Sequence, residues 1–358
     1  MFDILIHHGS SFEGDSIDTR PLGGTETSEI YLSREFAKHG LKVIMFCNCS
    51  KPGMYEGVRY LNISEFENFN RTTGSKIFIS QTNPTIFNMD INAGIKVFWS
   101  AGSYSVRANR PLKDRSISSR IDRYICLSNW QAATYSRHFN IDKSRIFITR
   151  NGINPLLFGD TSIKREKYRL IYSSEPTRGL DVLLDVFPKV RKDFPGLTLY
   201  IFSDYEFYGK PKGSALSDDE CKAIFAKTKQ AGISNMGNIK QNELAKEFMR
   251  SYIFAYPTHF EETSCISAIE AQAAGVPVLT TRLAALSETV QDGITGKLIP
   301  GNSRSWLYTH RFIKELKRLL ADDKEWKRMS QNGMKRAREH YSWEMIAKEW
   351  LAEFKPYL

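Results

Sequence analysis

An α/β protein made of two Rossmann-like halves in tandem is what the sequence predicts, and three observations carry that expectation. The chain has 358 residues, about twice the commonest domain size, which points to two domains of roughly 150 residues each. Short apolar runs alternate with amphipathic stretches, the rhythm of βαβ units and so of largely parallel sheets. That rhythm halts in a polar stretch ending at Lys167 and restarts at Leu170-Ile171-Tyr172.

Taken in order, residues 2–7 read as a buried strand. Residues 26–39 read as a helix with Ile30, Leu32, Phe36 and Ala37 inward, and 42–47 as the next strand. The same alternation gives strands over 76–80, 96–99 and 123–127, a helix over 129–139 and a strand over 146–149. Asn151-Gly152-Ile153-Asn154-Pro155 has turn chemistry, so 1–155 is assigned to an N-terminal domain and 156–341 to a C-terminal one. The second half reads strand 170–173, helix 179–192, strand 197–202, helices 216–230 and 241–251, and strand 253–255. Helix 264–274, strand 277–280 and helices from 305 onward complete it. No short repeat or low-complexity segment interrupts the pattern.

Hydrophobic residues at 41%, aromatics at 12% and charged residues at 25% give enough apolar material for two cores and argue against a disordered chain. Met1-Phe2-Asp3-Ile4 carries an acid where a signal peptide needs basic residues, and no apolar run approaches the roughly 18 to 20 residues that span a bilayer. Five cysteines do not make a disulfide framework, and Cys47 and Cys49 lack a second metal-ligand pair. The expectation is a soluble protein of the reducing cytoplasm. The net charge of +10 is concentrated: residues 101–150 hold ten Lys/Arg, among them Arg107, Arg110 and Lys113, against Asp114, Asp122 and Asp142. Such a surface attracts phosphate or an anionic membrane, although the spacing also suits solvated helix faces. Nucleic acid is not an expected partner.

The chemistry is concentrated in the run from Tyr256 to Val278, which reads strand, loop, helix, turn, strand. Thr263 or Ser264 is the expected N-cap, Gly275 the left-handed stop, and Pro277 bars continuation. The helix then offers unpaired N–H groups near Cys265 and Ile266, where a phosphate is readily held. Glu270 stands one turn further in. A carboxylate there cannot help a phosphate, but it accepts from vicinal hydroxyls, as of a ribose. Most glutamates sit on surfaces, yet Glu270 lies amid Ile266, Ala268, Ile269, Ala271, Ala273 and Ala274. A glutamate in so apolar a helix needs a partner. Glu262, in the preceding loop, is expected beyond the phosphates.

Glu262 and Glu270, followed by Ala271-Gln272-Ala273-Ala274-Gly275-Val276-Pro277-Val278, resemble the signature of the retaining glycosyltransferases of the fourth sequence family (glycosyl transferases group 1). Further segments agree along nearly the whole chain. Gly23-Gly24-Thr25-Glu26 resembles that family's glycine-rich loop, Ser128-Asn129-Trp130 its Ser-x-x segment, and Asn151-Gly152-Ile153-Asn154 its Asn-Gly-Ile-Asp. Asp292-Gly293 with Gly296 resembles its late glycine loop. The resemblance implies the GT-B fold, two Rossmann-like domains facing across a cleft. A final helix opened by Tyr341-Ser342-Trp343 would cross back so that 342–358 pack on the N-terminal domain.

It also implies transfer of a sugar from a nucleotide-diphospho-sugar, with retention and without a bound metal or other cofactor, to a glycan, lipid-linked or protein acceptor. The chain has no Asp-x-Asp motif to hold Mg²⁺, so cationic side chains and helix N-termini would stabilise the leaving diphosphate. By the same resemblance Glu270 holds the ribose, Glu262 contacts the donor sugar, and main-chain groups from Met236 to Ile239 receive the base. Gly23 and Gly24 join the donor site, together with Ser173, Arg178, Cys265 and Ile266. Glu262 and Arg178 are the candidate catalytic residues.

Two departures stand out. The family places Arg and then Lys, five apart, on the first turn of the second domain; here Ser173 and Arg178 occupy those positions. Many relatives carry His-Asp after an N-domain strand ending in Trp, whereas this chain reads Trp99-Ser100-Ala101-Gly102; His7 and His8 at the end of the first strand are candidates either to substitute or to fill a plain structural role. These departures also suit a catalytically silent nucleotide-sugar-binding subunit, and the fold also serves sugar-nucleotide epimerases.

Overall fold

The structure of the chain, a computed structural model, describes residues 1–204 and 218–358. The start of the helix expected over 216–230 therefore lies outside the described residues. The chain divides into two compact units, one made of Met1–Gly152, Glu262–Ser264 and Tyr341–Leu358, the other of Ile153–Glu261 and Cys265–His340. Each carries its own sheet and its own apolar core. No helix among the described residues is long and apolar enough to cross a membrane.

In the N-terminal unit the strands are β1 (Phe2–His7), β2 (Val43–Cys47), β3 (Gly53–Tyr55), β4 (Val58–Asn62), β5 (Ser75–Gln81), β6 (Ala93–Trp99), β7 (Arg123–Cys126) and β8 (Ile146–Ile148). They lie in the order β3-β4-β2-β1-β5-β6-β7-β8, parallel except for the β3–β4 hairpin. β2 is buried at every position, as a strand covered on both faces must be. The hairpin and the short Phe66–Thr72 helix are additions to the expected elements; strands of three and five residues leave too little alternation to read.

The Asn129–Phe139 helix has a cap at each end. Ser128 Oγ accepts from Gln131 N (3.2 Å), and Asn140 ends the helix at φ 54°, a left-handed conformation that asparagine tolerates. The Trp343–Phe354 helix starts where Ser342 Oγ accepts from Met345 N (3.2 Å). It buries Trp343, Ile346, Ala347, Trp350 and Phe354 in the same core as Phe36 and Trp99. Arg150 forks onto Glu349 of this helix (2.7 and 2.8 Å).

In the C-terminal unit β9 (Arg169–Tyr172), β10 (Thr198–Ile201), β11 (Ile233–Asn235), β12 (Ile253–Tyr256), β13 (Val278–Thr281) and β14 (Gly296–Ile299) form a parallel sheet of order β11-β10-β9-β12-β13-β14. Strand order reverses between β9 and β12, so the chain leaves their carboxyl ends toward opposite faces. The crevice opened there is where open α/β sheets bind ligands. In the N-terminal unit the equivalent reversal falls between β1 and β5.

Candidate functional site

The two segments that leave β9 and β12 meet at the reversal point of the C-terminal sheet. Gly179 makes the meeting close. Its φ is 101°, and a Cβ on it would stand 2.3 Å from the carbonyl oxygen of Pro257, so only glycine meets both the conformation and the approach. Gly179 is the N-cap of the Leu180–Arg191 helix, one residue inside the expected start, and it leaves Arg178 in the preceding turn. Gly179→Ala is expected to destabilise the unit by about 2 kcal/mol or more and to weaken nucleotide binding, both readable by thermal unfolding with and without ligand. An alanine variant of unchanged midpoint would show that the turn relaxes freely.

Arg178 has Phe260 and Glu175 among its neighbours. Its guanidinium lies over the Phe260 ring, 3.8 Å from the centroid, and Nε donates to Glu175 Oε2 (3.2 Å). The turn itself is stitched by Arg178 N to Glu175 O (3.0 Å) and by Tyr172 Oη donating to Glu175 O (2.8 Å). Ser173 is buried at the end of β9, and Ser174 Oγ reaches Tyr256 Oη (3.1 Å). Below the loop after β12, Thr280 Oγ1 donates to Tyr256 O and Thr281 Oγ1 to Thr258 O (2.6 Å each). The loop thus rests on a fixed floor.

The helix after that loop spans Ile266–Ala273. Its N-cap is Cys265 and no side chain caps it, which corrects the expectation of Thr263 or Ser264. Both hydroxyls are directed elsewhere: Thr263 Oγ1 donates to Ala101 O (2.7 Å) and Ser264 Oγ accepts from Asn151 N (3.0 Å). Among the described residues, no side chain caps the first turn. Gly275 at φ 69° ends the segment, as expected.

Glu270 is buried, and Gln241 Nε2 donates to its Oε1 (3.0 Å). Burial raises its carboxyl to about 7, with the Gln241 bond opposing the shift. Gln241, the first residue of the Gln241–Arg250 helix, is a site residue that sequence reasoning missed; the only signal was its place directly after the expected base-binding loop. Met236 N bonds Ile201 O (2.8 Å), which anchors that loop to the end of β10. Asn238 Nδ2 and Gln241 Oε1 are buried with no partner among the described residues. A donor and an acceptor are therefore available there.

Two of the expected donor residues, Gly23 and Gly24, belong to the N-terminal unit, and so does Glu262, which is buried. Gly23 caps the Gly24–Lys38 helix without a side-chain bond. In the same unit His8 Nδ1 pairs with Glu29 Oε2 (2.6 Å), and the Gln81 amide donates to that carboxylate. Glu29 holds the His8 imidazole above its ordinary range against the opposing effect of burial. Burial beside Phe66 drives His7 down to about 4. The two histidines are thus opposites, one paired and one kept neutral. Glu29 and Gln81, from other elements, were not legible as partners. At Ser100-Ala101-Gly102 the backbone is pinned instead by Gln131 Nε2, which donates to Ser100 O (2.9 Å) and Gly102 O (2.8 Å), and by Tyr135 Oη, which donates to Gly102 O (2.9 Å).

Among solved structures, a sucrose-phosphate synthase from Thermosynechococcus elongatus matches 99% of this chain and 99% of its own at a TM-score of 0.77 and 16% identity. Anabaena Alr3699/HepE in complex with UDP and glucose matches 100% of both chains at 0.75 and 12%. These likenesses establish the fold, the two-domain GT-B fold. In sequence, a D-inositol 3-phosphate glycosyltransferase of Segniliparus rotundus is 26% identical over 249 residues, 65% of this chain and 52% of that one. A probable sucrose-phosphate synthase of Thermosipho melanesiensis is 29% identical over 231 residues, 61% and 50%. The chain spans about half the length of the curated relatives it matches. Residues 169–322, which run from β9 through both turns of the candidate site, match the family described as Glycosyl transferases group 1.

Proposed function

We propose that the chain is a retaining glycosyltransferase that takes a sugar from a nucleoside-diphospho-sugar without a bound metal and passes it to a hydroxyl-bearing acceptor. The observation that carries this reading is the pair of groups at the reversal point of a glycosyl transferases group 1 domain: a guanidinium held on Phe260 and a buried carboxyl held by Gln241. Arg178 and the uncapped first turn of the Ile266–Ala273 helix suit a diphosphate. Glu270 suits the two ribose hydroxyls, and the loop from Met236 to Ile239, with Asn238 Nδ2 and Gln241 Oε1, suits the base. Cys265 and Ile266 contribute main-chain N–H groups, and Ser173 is a small neighbour that leaves room. The supporting likeness is to HepE, which was solved with UDP-glucose.

A thermal-shift panel of nucleotide sugars tests the reading, since a ligand at 100 times its dissociation constant adds about 2.7 kcal/mol. A nucleoside-diphospho-sugar is expected to stabilise the protein while its free sugar does not. Incubation with the stabilising sugar nucleotide alone then separates transfer from epimerisation, because an epimerase converts it without an acceptor.

Glu262 is assigned to the transferred sugar. Glu262→Ala is therefore expected to lower turnover far more than affinity for UDP, the mark of an interaction that strengthens toward the transition state. Equal losses in both, measured by steady-state kinetics and calorimetry, would remove it from the sugar.

The acceptor is assigned to the N-terminal unit and to an anionic class, either a phosphorylated or lipid-linked hydroxyl compound or a glycan at an anionic membrane surface. Of the basic residues over 101–150, Arg123 and Arg150 are engaged by Glu353 and Glu349, and Arg145 bonds main-chain oxygens. Arg107, Arg110 and Lys113 are exposed along the Arg107–Lys113 turn. The apparent Michaelis constant for the acceptor is expected to rise with ionic strength, as screening shortens from about 10 Å at 0.1 M to about 3 Å at 1 M. Neutralising those three side chains together is expected to mimic the rise. A salt-insensitive constant in both proteins would make them ordinary solvated charges.

A further inference from the structure

The turn after β9 carries one cation, Arg178, because Ser173 at its start is uncharged. How one guanidinium is held then matters more than its bare presence. The turn Glu175-Pro176-Thr177-Arg178 and the loop Pro257-Thr258-His259-Phe260 come from different strands, and Gly179 lets them pack backbone against side-chain-free backbone. The Arg178 guanidinium lies against the Phe260 face at 3.8 Å, and its Nε donates to Glu175 Oε2. The Arg178 side chain is 26% exposed and that of Glu175 22%. An ion pair this open contributes little to stability, and a carboxylate beside an expected diphosphate site opposes the anion.

Resting on the reading of Arg178 as the diphosphate cation, we propose that Phe260 and Glu175 are opposed positioning residues for it. Phe260 holds the guanidinium flat, by the attraction of a cation to an aromatic face, in the orientation in which it meets two phosphate oxygens. Glu175 partly neutralises the same group and so weakens the grip on the nucleoside diphosphate left after transfer. The specificity lies between di- and monophosphate: both residues act through the one cation, so nucleoside monophosphate binding, dominated by base and ribose, is nearly indifferent to them.

Calorimetric titration of the full chain with UDP and with UMP tests this, using Phe260→Leu, Phe260→Tyr, Glu175→Gln and Arg178→Ala, with unfolding midpoints recorded for each. Phe260→Leu is expected to weaken UDP about tenfold and UMP less than about twofold, and Phe260→Tyr, which keeps the aromatic face, to restore UDP. Glu175→Gln is expected to tighten UDP about threefold to tenfold, and the gain to shrink in 1 M salt. If Arg178→Ala weakens UDP while Phe260→Leu and Glu175→Gln bind it as the wild type does, Arg178 works without these neighbours and the proposal falls. If Glu175→Gln weakens UDP, the carboxylate is a support rather than a competitor, and that half falls. An Arg178→Ala variant that binds UDP normally overturns the diphosphate reading itself, a different result from either. Loss of both UDP and UMP in Phe260→Leu with a lowered midpoint marks a folding defect, and the tyrosine and glutamine variants then decide.

Discussion

Turnover in Arg178→Ala is expected to fall by about 10² or more, the usual loss when a donor that stabilises developing negative charge is removed. The leaving diphosphate gains charge as the sugar departs, and Ser173 contributes none to offset it. The guanidinium already lies against Phe260 and bonds Glu175, so little reorganisation is needed during reaction. Arg178→Lys is expected to recover part of the loss, because an ammonium restores charge but neither stacks flat on the ring nor bonds two oxygens in one plane. Release of nucleoside diphosphate from the sugar nucleotide that stabilises the protein, followed at saturating donor, gives the measurement. An alanine variant with near-normal turnover would transfer the role to the main-chain N–H groups opening the Ile266–Ala273 helix.

The second large effect is expected at Glu270. Above pH 7, Glu270→Gln should weaken UDP by about 10- to 100-fold, the equivalent of one charge-assisted bond of about 1.5 to 3 kcal/mol. Because burial raises the free carboxyl to about 7, the wild-type protein must shed a proton to bind hydroxyls, so its UDP affinity falls as pH drops below 7 and the difference from the glutamine variant closes near pH 5.5. Stability moves the other way. A carboxyl whose folded value lies above its ordinary 4.5 contributes stability that is fully present below about 4.5 and is lost as pH rises through about 7. The ligand-free glutamine variant is therefore expected to be more stable than wild type at pH 8, by up to about 3 kcal/mol, and to lose that advantage toward pH 4.5. Calorimetry against pH, paired with denaturant unfolding, checks both. A pH-independent wild-type affinity would mean that Glu270 is already ionised in the free protein.

Sequence by itself determined the secondary-structure rhythm, the restart at β9 and the helix that bears Glu270, because these depend on local periodicity and on turn residues such as Gly275. It also singled out Glu270 as a group in need of a partner, since a carboxylate in an apolar helix is costly unless something bonds it. What it could not supply is which residue answers that need. Gln241 is 29 positions away, Glu29 reaches His8 from another element and is itself bonded by Gln81, and Phe260 meets Arg178 across a reversal of strand order. The choice of N-cap was decided the same way: Thr263 and Ser264 have the right chemistry for capping, but their hydroxyls bond Ala101 and Asn151, and Cys265 stands at the helix start. Local propensity names the groups able to form a bond, and only the packed chain, by bringing competing partners within about 3 Å, selects the bond that forms.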